Sequence, residues 1–360
     1  MEQDPKLNSE LFDAPEEPAA PSGAMSEEER RLARGRFSRM GLGVVLILLG
    51  ATAVQILLAY VLNALVSDGV RNTSWGIWVI TFAPQYLVGV PVCLLILRGV
   101  PAMRGEGERM GAGRYLAVIL ISIFMMYAGN LLGLLIQSVI ENLVGFVPGN
   151  PLDEYVGGDS LILKILCMVI LAPLIEEYVF RRSLIDRMRP YGEKLAVVTS
   201  ALMFGLFHGN LSQMFYAFTL GLVFGYVYLR TGKLRHTVGL HMLINLLGAV
   251  VGPALSQWAE GSLEELAQFD KADMTDWAHL SDLSKTITPG TMLLGLYTVA
   301  MLAAAAVGLI LLIVRARRVY FRPAPLELDR GRRFSTVWLN PGMLLFLLVC
   351  LLLVVTTFLA

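Results

Sequence analysis

Residues 161–184 read "LILKILCMVILAPLIEEYVFRRSL". An apolar run broken only by Lys164 ends in two adjacent carboxylates, Glu176 and Glu177, with Arg181 and Arg182 close behind. An ionised group at hydrocarbon depth costs from about 2.5–3.5 kcal/mol upward. Such groups either reach the membrane interface, as the fringe of a span, or sit in a shielded interior where they do chemistry.

The rest of the chain decides that the solvent is lipid. Counting 160–180, about nine stretches approach the ~20 apolar residues that cross a bilayer. The others lie near 41–66, 75–97, 115–140, 195–208, 211–229, 237–254, 291–314 and 342–360. About forty polar residues precede the first, which is too long for a signal-peptide core, so it is not a cleavable leader. The predicted fold class is all-α, a polytopic integral membrane bundle of about nine transmembrane helices. Hydrophobic residues make up 56% of the 360, and charged residues 16%, against roughly 25% in a soluble domain. Lys+Arg and Asp+Glu are equal at 29, so no bulk charge calls for nucleic acid. Cys93, Cys167 and Cys350 lie apart in apolar runs and form no C-x-x-C pair; they read as buried, inert thiols.

Loop charge gives an orientation. Residues 1–40 start acidic and Pro/Ala-rich, as a disordered tail would, then turn basic at Arg30, Arg31, Arg34, Arg36 and Arg39. The positive-inside rule places this end in the cytoplasm, with the bilayer taken as the plasma membrane. Basic loops recur after the second, fourth, sixth and eighth spans, while "GNPLDEYVGGD" and 255–290 are acidic or neutral. In the latter, Ser262 and Glu265 resemble a capping box that would start a short surface helix. The expected organisation is a tail (1–40), N-terminal spans (41–114), a core (115–254), an extracytoplasmic acidic loop (255–290) and C-terminal spans (291–360).

Three polar groups lie in the core. In "EEYVFR", Glu177 and Arg181 are four apart, share a helix face and can neutralise each other, whereas Glu176 points elsewhere. Pro173, one turn earlier, should weaken the backbone ladder. In "FGLFHGN", His208 follows Phe204 by one turn; in "HMLIN", His241 and Asn245 share a face. Each has a bland reading: solvated interface carboxylates, a structural histidine at a helix end, and an interhelical hydrogen-bonding pair. The pairs Gly205/Gly209 and Gly221/Gly225 are small-xxx-small patterns that would let helices approach. His236, His279, Asn130 and Gln137 are assigned no chemistry, and Trp75, Trp78 and Trp338 are expected at membrane interfaces.

Geometry links the groups. A turn at "RPYGE" lies near Tyr191. An antiparallel hairpin about it would bring Glu176 and His208 to one depth, about 22–25 Å from the turn at 1.5 Å per residue. His241, nine residues past Gly232, needs a deeper turn to meet them. Burial raises the pKa of a lone carboxylate and makes it a better base near neutrality. Imidazoles and an amide can polarise a carbonyl. Two His and one Glu are equally a zinc set, but H-E-x-x-H is absent, and spacing does not choose between the two chemistries.

Taken together, "EEYVFR", "FGLFH" and "HMLIN" resemble the E-E-x-x-x-R, F-x-x-x-H and H-x-x-x-N motifs of the CAAX-protease and bacteriocin-processing family of intramembrane endopeptidases. The resemblance covers roughly 115–254 and implies that Glu176 activates water and His208 helps bind water or a metal. It implies that His241 and Asn245 stabilise the oxyanion, with Glu177 and Arg181 in support. A divalent metal such as zinc, at Glu176, His208 and His241, is left open by it. The implied partners are a membrane-associated peptide or protein substrate and the lipid bilayer, with no nucleic acid. Two other functions stand beside the protease: a non-catalytic immunity or scaffold protein, and a proton- or ion-coupled transporter. The latter would spread its charges over several helices and show repeat symmetry; here they cluster in three consecutive spans.

Overall fold

The computed structural model describes residues 25–65, 74–105, 107–145, 160–268 and 287–358. The acidic start of the tail, "GNPLDEYVGGD" and His279 fall outside them. Among the described residues all regular structure is helical. The elements are α1 (Glu27–Leu65), α2 (Ser74–Pro84, then Gln85–Gly89, then Val90–Leu97) and α3 (Ala112–Val144). Next come α4 (Leu161–Leu163, Lys164–Leu171, Ala172–Glu177, Tyr178–Ile185 and Asp186–Met188), α5 (Glu193–Phe207) and α6 (Leu211–Thr231). After these follow α7 (Leu234–Asn245, Leu246–Val251 and Gly252–Gln268), α8 (Pro289–Ala316), α9 (Arg333–Val337) and α10 (Pro341–Thr356).

Six helices are long and apolar enough to cross a membrane, within α1, α2, α3, α6, α7 and α8, and α10 is a shorter apolar helix. The expected spans near 160–180 and 195–208 are present as α4 and α5. Neither has the length and unbroken apolar character of the six, because α4 alternates α- and π-helical turns and α5 has only 15 residues. The protein is a polytopic helical membrane bundle, with much of its apolar surface, such as Leu57, Leu134 and Ile313, facing outward, where lipid is the solvent.

Caps set the helix limits. Asn210 accepts a hydrogen bond from Gln213 N at 2.9 Å to open α6, and Gly232, at φ 61°, closes it. Between α5 and α6, Gly209 sits at φ 64°, a left-handed turn that favours glycine. It serves the turn and also a close approach, since a Cβ there would lie 2.9 Å from Leu353 Cβ of α10. Gly205 and Gly221 bring α5 and α6 together: a Cβ would lie 2.6 Å from Met214 O at the first and 2.9 Å from Ala201 Cα at the second, so the two helices meet backbone to backbone.

The core does not stop at the edges of 115–254. Phe37, Met40 and Val44 of α1 and Phe346 of α10 share one buried cluster with Phe180, Leu184 and Phe204 of α4 and α5. A second cluster joins α3, α6, α7 and α8 through Ile123, Phe224, Leu240 and Met301. Trp78 is buried with Leu163, Cys167 and Met168 and stacks on Phe82 at 5.2 Å; it is a core residue, not an interface anchor. Ser262 also departs from expectation. The helix is already running at Gly252, so Ser262 does not start it, and its hydroxyl meets Thr288 Oγ1 at 2.9 Å. The three cysteines are buried and free.

The α4–α5 hairpin turns where expected, through Arg189–Tyr191 and Gly192. Its base is held by ions. Glu193 accepts from Arg189 at 2.6 Å, from Arg230, and from Arg322 N at 2.7 Å. Two chain segments are laced to the same place, Met103 N to Asp186 O at 2.7 Å and Leu326 N to Pro190 O at 2.9 Å. This clamp fixes how far along the hairpin every inward side chain lies.

Candidate active site

The site is built on α4. Around Pro173 the helix is wound as α over Ala172–Glu177 and as π on either side. A π turn widens the helix and leaves carbonyls without their usual partners. Asn245 of α7 takes one of them, donating from Nδ2 to Met168 O at 2.8 Å. The third motif is thus tied to the first through backbone.

The adjacent glutamates part company. Glu177 is completely buried and accepts from Arg181 twice, from Nε at 2.9 Å and Nη2 at 3.2 Å. Arg181 also donates to Ser200 Oγ at 3.3 Å, and Ser200 donates to Phe180 O at 2.7 Å. The pair pins α4 to α5. Glu176 accepts no hydrogen bond from another described side chain; His241 Nε2 stands 3.8 Å from its Oε2.

His241 lies between the two carboxylates, with Nδ1 3.2 Å from Glu177 Oε1. Glu177 therefore orients the ring and presents Nε2 to Glu176. His208 is oriented in the same way by backbone: Nδ1 donates to Phe204 O at 2.9 Å, leaving Nε2 as its acceptor. Phe204 packs edge-on against both imidazoles, with ring centroids at 5.0 and 5.7 Å, and under the Arg181 guanidinium at 5.0 Å. The aromatic of the second motif is a spacer that holds two histidines and an arginine in register.

Glu176, His208, His241 and Asn245 all line one cavity of about 330 Å³. Glu177 and Arg181 stand behind it. Among the wall residues that sequence reading missed are Gln85, Gln213, Leu48 and Leu353. The two leucines have no signal in a lipid-facing run. Gln85 and Gln213 did have one, since a carboxamide at membrane depth calls for a partner. The His241 register, doubtful from helix lengths alone, is met by tertiary packing.

The donor types suit zinc, because both histidines have Nδ1 engaged and Nε2 left over, as metal-bound histidines do. The spacing does not suit it. Among the described residues no three His, Cys, Asp or Glu side chains are grouped closely enough to hold one ion. No step below runs through a metal.

Residues 158–247 match the family described as type II CAAX prenyl endopeptidase Rce1-like. This match supports the resemblance of the segment to the CAAX-protease and bacteriocin-processing family. It contains all six residues read from the motifs and all of α4, α5 and α6. The chain is also similar to YdiL of Bacillus subtilis (strain 168), named as a candidate membrane peptidase. The two are 24% identical over 189 residues, covering 47% of this chain and 69% of that protein. No solved structure matches the chain. The family is one of membrane endopeptidases, and the resemblance read from the three motifs is met.

Proposed function

We propose that the protein is an intramembrane endopeptidase that cleaves a membrane-associated peptide or protein, with Glu176 as the group that activates water. The observation that carries this reading is the unequal fate of two neighbours. Glu177 is saturated by Arg181 and His241, while Glu176 faces the cavity with its oxygens unbonded by any described residue.

A water about 2.8 Å from both Glu176 Oε2 and His241 Nε2 fits beside their 3.8 Å gap. Glu176 takes one proton from it, and the oxygen adds to the carbonyl carbon of the scissile bond. The negative oxygen that forms needs a donor. As an imidazolium, His241 donates from both nitrogens, one to Glu177 and one into the cavity. Glu176 then returns its proton to the leaving nitrogen, and the C–N bond breaks. His208 Nε2 accepts the water's second hydrogen and holds it in line. Asn245 has one N–H beyond the bond to Met168 and can add to the oxyanion site. We read the basic helix ends as cytoplasmic and the bilayer as the plasma membrane.

The test compares membranes carrying wild type with membranes carrying Glu176→Gln, reading new peptide termini by mass spectrometry. Termini that depend on Glu176 support the reading. A cleavage pattern identical in the two membranes, with both proteins folded and inserted, removes it.

A further inference from the structure

We propose that Gln85 and Gln213 bind the backbone of an extended, apolar peptide segment in the cavity. This deepens the proteolytic reading and rests on it. Gln213 is 7% exposed, and its backbone N–H is used by Asn210, yet its carboxamide bonds to no other described residue. Gln85 opens the π-helical turn Gln85–Gly89 directly after Pro84, and its carboxamide likewise bonds to no described residue. Both amides line the cavity that holds Glu176. Three other membrane carboxamides are engaged, Gln55 with Thr81 O at 2.8 Å, Gln137 with Ser212 Oγ at 3.1 Å, and Asn245 with Met168 O; Asn130 bonds to no described residue but lies outside the cavity wall.

An unpaired amide in an apolar setting costs about 1–3 kcal/mol. The same holds for each N–H and C=O of a peptide drawn out of water, which must find partners inside the protein. A glutamine offers both a donor pair and an acceptor, the complement of one peptide unit. Apart from Tyr216 and the four motif residues Glu176, His208, His241 and Asn245, the remaining wall, including Leu48, Phe82, Met168, Leu220 and Leu353, is apolar. It suits the side chains of an apolar segment and offers nothing to its backbone. A cavity of about 330 Å³ lies within the ~300–1,000 Å³ of known ligand pockets. Gln85 stands on α2, outside the matched segment 158–247, so this chain's substrate choice is set in part by a flanking helix. Its π turn, which re-aims side chains by inserting a residue, presents the amide inward.

The experiment uses the full chain in phosphatidylcholine–phosphatidylglycerol vesicles. The probe is a mixed library of N-acylated ten-residue peptides, with cleavage sites read by mass spectrometry. The best-cut peptide is remade with single backbone amides replaced by esters, which removes one N–H at a time. Gln85→Met and Gln213→Met keep the volume and remove the amide. Each is expected to raise KM by about 3–10-fold with kcat within about 2-fold, the signature of lost ground-state binding. One ester position that weakens binding to wild type should have no further effect in the variant lacking its partner. If a methionine variant does not fold, Gln85→Glu or Gln213→Glu replaces it: the carboxylate still accepts from a peptide N–H but cannot donate to a peptide C=O, so KM should rise as for methionine, and only KM, not the ester effect, is then read. Unchanged KM in folded variants, or ester effects identical in wild type and variants, overturns the proposal alone. If wild type cuts nothing that Glu176→Gln spares, the proteolytic reading falls and takes this one with it.

Discussion

Glu193 and Glu176 stand at two ends of the same α4–α5 unit, and the protein treats them oppositely. At the hairpin base, Glu193 receives two guanidinium groups and a backbone N–H, which fill its acceptor sites and hold three chain segments together. At the cavity, Glu176 has a histidine at 3.8 Å and open space. Burial alone therefore does not mark a working carboxylate. A buried acid whose partners are complete is part of the frame, and one left incomplete beside a cavity is available to substrate.

The largest expected effect breaks this contrast at the working end. Glu176→Gln should lower cleavage by about 10²–10⁴-fold, the contribution of a general base, with thermal unfolding unchanged within error. Next comes the frame. Glu177→Ala leaves Arg181 buried without its carboxylate, which costs about 3–5 kcal/mol, read as a fall in unfolding temperature in detergent. Glu193→Ala should destabilise by a similar amount through Arg189 and Arg230, and it sharpens the comparison if the residual folded protein keeps its KM. A folded, stable Glu177→Ala protein would mean that the frame role is misassigned. Gly221→Val should cost about 1–3 kcal/mol by forcing α5 and α6 apart, with activity lost in step with folding. The smallest effect is expected from a chelator. With no three metal-binding side chains grouped among the described residues, EDTA should leave cleavage unchanged and purified protein should carry far less than one zinc per chain. Stoichiometric zinc lost together with activity would reverse that expectation.

Much of the site could be read before any coordinates. The four-residue spacing of Glu177 and Arg181 gave their ion pair, and the turn near Tyr191 gave the hairpin that brings Glu176 and His208 to one cavity. Helix geometry is local, so spacing carries it. The capping box at Ser262 failed because the span never ended there; a local motif was overridden by a helix already running. Trp78 failed because an aromatic in an apolar run looks the same whether it meets headgroups or Cys167.

By itself the sequence determined that the chain lives in lipid, that its polar groups cluster in three consecutive helices, and which family its central segment resembles. Periodicity and composition suffice for this, because a bilayer forces every spanning segment to satisfy its own backbone. Only the tertiary structure decided that Ser200 ties the Glu177–Arg181 pair to α5, that His241 sits between the two glutamates, and that α1, α2 and α10 wall the cavity. Those outcomes depend on contacts between residues up to some three hundred positions apart, such as Leu48 and Leu353, which hydropathy cannot order because lipid-facing and cavity-facing leucines read alike.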